Sequence, residues 1–208
     1  MDVNTLTMFF SYILAKNENI QLRSSACIFL KNYIKEYFYD SSNNAILNKH
    51  KIMDENSKTY FKENALILML NAEISLLPNI IEMIKIVVQN ANGYLVIWPK
   101  LMNFIGEVLN KHDFSKSKYI YQLIAKIIKR YHIEYKSVPL FREIINTMQY
   151  ICQPMTEDAL NIIKFFNSYE KNSKNDEIMD QCLHMMNKIM SIFYSLNFQD
   201  FPDFLKII

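Results

Sequence analysis

Glycine is nearly absent: two residues in 208, beside five prolines. That excludes an all-β fold, which needs glycine and proline at its many tight turns. Cysteine is equally sparse. Cys27, Cys152 and Cys182 are odd in number, widely spaced and form no CxxC pair, so they read as buried, reduced thiols of a cytosolic or nuclear protein. Charge of one sign is missing too. Lys and Arg number 23 against 21 Asp and Glu, a formal net charge of +2, which leaves no electrostatic footprint for nucleic acid. No apolar run is long enough to span a bilayer. The longest near the start, Met8–Ala15 (MFFSYILA), is too short. Asp2, with no Lys or Arg, precedes it, so the basic n-region of a signal peptide is absent and a core helix is expected.

Catalytic patterns are missing as well. His50, His112, His132 and His184 are scattered, and the one close pair, Cys182 and His184, is two residues apart, which turns the side chains to different faces of a helix. No P-loop, GxSxG or HExxH occurs. Glu157-Asp158 is read as an acidic pair at a helix start, complementing the dipole. No enzyme activity, metal or cofactor is expected.

What is present is helical periodicity. In Ala26–Tyr39 (ACIFLKNYIKEYFY), apolar residues fall at Ala26, Leu30, Tyr33 and Tyr37, and beside them at Cys27, Ile34 and Phe38. A stripe that wide must lie between two neighbours. Lys31, Asn32, Lys35 and Glu36 fill the solvated arc. Similar patterns predict helices over about 4–16, 20–39, 54–70, 74–89, 99–111, 116–133, 139–152, 155–169 and 176–196, with a tenth opening at Phe201-Pro202. Asp54 is a plausible N-cap, Pro78 falls early in its helix, Gly93 is a C-cap and Pro154 separates two helices. Asp40–Asn48 and Glu170–Asn175 are polar connections. The expected core includes Tyr33, Ile34, Leu68, Phe104, Ile105, Phe165, Phe193 and Leu196. Helix pairs recurring roughly every 40 residues have the HEAT period. Periodicity alone leaves an α-solenoid and a compact bundle both open.

Four segments narrow the choice. Phe29-Leu30-Lys31-Asn32-Tyr33-Ile34-Lys35 resembles the A helix of the second repeat in the importin-beta family of nuclear transport receptors. Trp98-Pro99-Lys100-Leu101 is similar to a WP-x-L that opens a B helix in that family. Ile128–Ser137 (IKRYHIEYKS) and Phe193–Phe204 (FYSLNFQDFPDF) resemble segments of one branch, the exportins of the cellular apoptosis susceptibility family that return importin-alpha to the cytoplasm. The four occur in the family's order and spacing. Gly93-Tyr94-Leu95 departs from it, standing where an acidic DFP is usual. Singly, each segment has a plainer reading: Trp98-Pro99 as an anchor and a first-turn proline, Lys126, Lys129, Arg130 and Lys136 as a solvated face, and Phe198, Phe201 and Phe204 as core between repeats.

The resemblance implies an all-α HEAT-repeat right-handed α-α superhelix, a solenoid of about five repeats, with B helices on its concave side. It implies an importin-beta N-terminal-like region over about 1–111, further HEAT repeats over about 112–208, and an N-terminal piece of a longer exportin. It implies a shuttling receptor that meets nuclear pore proteins and binds Ran-GTP and importin-alpha, each partner favouring the same closed conformation. Neither nucleic acid nor membrane insertion is implied. An import receptor of the same superfamily, or a HEAT scaffold unrelated to Ran, stays open. Ran is expected across the non-core faces of the first, third and fifth helices. Helical phase selects Asn4, Met8, Ser11, Tyr12 and Ala15 on the first, Glu55, Thr59, Lys62 and Glu63 on the third, and Asn103, Glu107 and Asn110 on the fifth. Tyr12 is either a binding residue or a cover for the end of the solenoid.

Overall fold

The computed structural model describes residues 3–39, 52–89, 98–134, 137–169 and 173–197. The expectations for Asp40–Asn48, His50, Asn90–Leu95, Lys136, Glu170–Asn172 and everything from Phe198 onward lie outside those residues. The described residues are all-helical, with no strand. They divide into two compact units, Met1–Trp98 and Pro99–Ile208.

The first unit holds α1 (Val3–Lys16), α2 (Ile20–Tyr37), α3 (Glu55–Asn71) and α4 (Leu77–Gln89). α1 packs on α2 and α3, and α4 packs on α2 and α3. The result is two layers, α1 beside α3 and α2 beside α4, the two-layer arrangement of stacked helical pairs. Asn19 caps α2, its side chain accepting from the N–H groups of Gln21 and Leu22. Asp54 caps α3 by accepting from Ser57 N–H at 2.7 Å. Both satisfy donors that a helix start leaves unpaired. On α2 the stripe Ala26, Cys27, Leu30 and Ile34 is buried. At its end Phe38 meets Phe61 edge-on at 6.1 Å, and Phe61 meets Trp98 at 6.4 Å. Polar ties lie around this apolar centre. Arg23 donates to the Leu14 carbonyl and to Glu73, and Tyr39 donates to the Val87 carbonyl.

The second unit holds α5 (Pro99–Leu109), α6 (Phe114–Ile128), a 3₁₀ turn (Lys129–His132), α7 (Val138–Asn167) and α8 (Ser173–Asn197). Its layers are α5 beside α7 and α6 beside α8. Pro99 is the first residue of α5, where the missing N–H leaves nothing unpaired. Gly106 of α5 faces Tyr150 of α7: a Cβ there would stand 3.6 Å from the Tyr150 ring and 3.8 Å from its carbonyl oxygen, ordinary contact distances that an alanine would fill.

Several expectations are corrected. Pro154 does not divide two helices, because α7 runs unbroken through it and buries its ring. Only one helical hydrogen bond, to the Tyr150 carbonyl, is lost there, and the apolar face of α7 continues on both sides through Ile151, Met155 and Ile162. The eight α-helices of the described residues therefore include one where two were expected. Ile34, Ile105 and Leu196 are core as expected. Tyr33, Leu68, Phe104 and Phe165 are half-buried. Phe193 is 46% exposed, because the inward face of α8 runs through Cys182, Met185, Ile189, Ile192 and Leu196 and Phe193 falls outside that arc. Cys27 and Cys182 are buried free thiols, whereas Cys152 is exposed. Arg130 is not on a solvated face but buried. Among the described residues no helix is long and apolar enough to cross a membrane.

Candidate functional site

The outer face of α1 follows from its inner one. Thr7, Ser11 and Leu14 are buried, spaced i, i+4, i+7 as one helical face requires. Ser11 therefore turns inward, away from the outer face on which it was expected. Its hydroxyl donates to the Thr7 carbonyl at 2.8 Å, a local bond that lets a polar residue lie inside. Asn4 is half-buried and its side-chain oxygen accepts the Asp54 N–H at 2.9 Å, so it ties α1 to the start of α3. Met8, Phe9 and Tyr12 remain exposed, Tyr12 by 64%. Ala15 is exposed on the same side.

α3 lies beside α1 in the same layer. Glu55, Thr59 and Glu63 are exposed at a four-residue step, and Ile67, 59% exposed, continues the row. Phase could have found Ile67, but an apolar residue does not announce itself as surface. Lys62 is half-buried, its amine 5.9 Å from the Phe38 ring centre. Burial lowers its pKa. The two helices thus bring together an aromatic and thioether edge and an acidic row. In the second unit, Asn103, Glu107 and Asn110 are all exposed along one side of α5.

Two polar clusters inside the second unit were not visible in the sequence. Glu157-Asp158 does not open a helix but sits in the middle of α7. Asp158 is fully buried and accepts from Tyr121 at 2.8 Å, with His112 Nδ1 at 2.7 Å from its other oxygen. Glu157 lies 3.1 Å from His112 Nε2. The hydrogen bond to Asp158 raises the His112 pKa above its ordinary value, and burial pushes the Tyr121 hydroxyl up. In the second cluster, Arg130 pairs with Glu143, which also accepts from Tyr131 at 2.8 Å. Glu134 lies 3.6 Å from Arg130 Nε. Both clusters join separate elements, as internal braces do.

The sequence pattern of the importin-beta N-terminal domain matches residues 6–71, from within α1 to the end of α3. The Cse1 pattern matches residues 127–206. Exportin-2 of Danio rerio is 26% identical over 194 residues, 93% of this chain and 19% of its own length. Exportin-2 of Homo sapiens is 24% identical over the same shares, and that of Drosophila melanogaster 24% over 88% of this chain and 18% of its own. The chain thus spans about a fifth of the length of these curated relatives. A solved structure, the exportin Cse1 in its cargo-free, cytoplasmic state, shares the fold with a TM-score of 0.79 at 20% identity, over 97% of this chain and 21% of that one. The fold is therefore that of a helical-repeat solenoid protein. With both family patterns in order along it, the chain is similar to the importin-beta family of karyopherins, and within that family to exportin-2.

Proposed function

We propose that the chain forms part of a nuclear export receptor of the exportin-2 type, which binds Ran-GTP and helps carry importin-alpha from nucleus to cytoplasm. The observation that carries the reading is the succession of an importin-beta N-terminal pattern at 6–71 and a Cse1 pattern at 127–206 in one chain. In this reading about 1–111 is the importin-beta N-terminal-like region and about 112–208 adds further HEAT repeats. Ran lies on the concave side of the first repeats. There Met8 and Tyr12 of α1, with Glu55, Thr59 and Glu63 of α3, offer exposed side chains of one layer, and Lys62 borders them. Tyrosine is frequent among residues that dominate binding energy, and methionine adapts to irregular partner surfaces. Asn103, Glu107 and Asn110 of α5 supply a separate polar contact. GTP hydrolysis belongs to Ran, and the receptor acts by binding. It shuttles between nucleus and cytoplasm through contacts with nuclear pore proteins. Ran-GTP and importin-alpha favour one conformation, so each tightens the other.

Immobilised protein should retain Ran loaded with GTP and not Ran loaded with GDP, and importin-alpha should increase the amount retained. Equal retention of the two nucleotide forms would point to a scaffold unrelated to Ran; nucleotide-dependent binding that importin-alpha does not strengthen would point to an import receptor. Tyr12→Ala combined with Glu107→Lys should weaken Ran-GTP binding more than tenfold, about 1.4 kcal/mol. A change within about threefold, below that decade, removes these faces from the contact.

A further inference from the structure

His112 stands in the turn between α5 and α6 with a backbone φ of 50°, a left-handed conformation uncommon for a residue with a Cβ. That backbone turns its ring toward the middle of α7, with Nδ1 2.7 Å from Asp158 and Nε2 3.1 Å from Glu157. A neutral imidazole has one N–H and one lone pair, while the imidazolium has two N–H donors. With a carboxylate oxygen at each nitrogen, only the charged ring satisfies both contacts; the neutral ring would aim a lone pair at one of them. Asp158 is fully buried and takes the Tyr121 hydroxyl on its second oxygen. One protonated ring therefore joins the α5–α6 turn to α7, and through Asp158 to α6, crossing both layers of the unit.

We propose that His112 is a proton-dependent pin: as imidazolium it closes the α5–α6 turn onto the middle of α7 through Asp158 and Glu157, and on losing its proton it releases that turn. The groups acting on the ring are Asp158 and Glu157 from α7. From α6, Tyr121 reaches Asp158 rather than the ring. In the turn itself, Asp113 is engaged by Ser115 and lies 3.9 Å from Lys116, and Lys111 is exposed. Held above its ordinary 6.5 chiefly by the hydrogen bond to Asp158, the ring contributes stability that is fully present below that value. The contribution is lost as pH rises through the elevated one. The pin thus loosens toward alkaline pH.

The test is a pH titration of the His112 ring by NMR in the whole protein, beside amide protection factors for residues 110–117. The ring should titrate above about 6.5, the ordinary histidine value. Protection in the turn should fall along the same curve, and the thermal midpoint should drop as pH rises above about 6.5. Glu157→Gln removes a charge from a partly exposed side chain and should move the ring's titration to lower pH. His112→Gln should abolish the pH dependence of the turn; if that variant does not fold, the wild-type and Glu157→Gln titrations decide. A ring that titrates at or below the ordinary value, or turn protection that does not follow it, overturns the pin.

Discussion

Where the first unit sets Phe61 against both Phe38 and Trp98, the second sets Asp158 between Tyr121 and His112, and beside the 3₁₀ turn Glu143 between Arg130 and Tyr131. Both units have the same two-layer plan of paired helices, but one is centred on aromatic packing and the other is braced by buried charge. Apolar packing is non-directional and tolerates change in proportion to volume. A buried ionic group must keep its partners, because removing one leaves a charge without compensation. The first unit should therefore fail gradually under substitution, and the second abruptly at a few polar positions.

That contrast can be broken most forcefully at Phe61. Truncation to Ala removes a side chain that is 1% exposed and should cost about 3–5 kcal/mol, from lost transfer energy and a cavity. Trp98 is the only tryptophan, so its fluorescence during urea unfolding reports the first unit directly. An unchanged midpoint would show that the aromatic contact is not central. In the second unit, Glu143→Ala should cost about 3 kcal/mol, since Arg130 stays buried while losing the Glu143 carboxylate. Amide exchange in the 3₁₀ turn should accelerate while Trp98 fluorescence reports little change; an effect on both units alike would erase the distinction. The smallest effect belongs to Phe193, which the chemical type of the residue assigns to the core. At 46% exposure, Phe193→Ala should stay within about 0.5 kcal/mol of wild type by thermal melting.

Protonation sharpens the same comparison. In the first unit burial pushes the Cys27 thiol up to about 11 and the Tyr39 hydroxyl up to about 12. Raised acids of this kind keep their stabilisation until pH passes their ordinary values of 9.0 and 10.0. Neither responds as pH first rises past 6.5, the value above which the second unit begins to lose its contribution from His112.

The helices were legible because 3.6-residue periodicity is written by apolar spacing, and their starts because Asp54 and Pro99 carry backbone chemistry of their own. The continuity of α7 was not, because proline's local preference was overridden by an apolar face continuing past it. Exposure was legible for Tyr12, Glu55, Thr59, Glu63, Asn103, Glu107 and Asn110, whose phase opposes the core. It failed at Ser11, whose hydroxyl is satisfied by its own helix. The two polar clusters were hidden for a different reason. Asp158 and His112 are 46 positions apart, and Arg130 and Glu143 are 13 apart in different elements, so only tertiary packing makes partners of them.

Pro154 has a mechanical meaning. A long helix behaves as an elastic rod whose stiffness comes from its ladder of hydrogen bonds, and the rung that would reach the Tyr150 carbonyl is missing. Compliance in α7 is thus concentrated at one point, four residues ahead of the anchorage at Asp158. The 30-residue rod has a soft joint beside a clamp, so flexing stress on the second unit would be taken up at that joint while the stiffer segments on either side keep their shape.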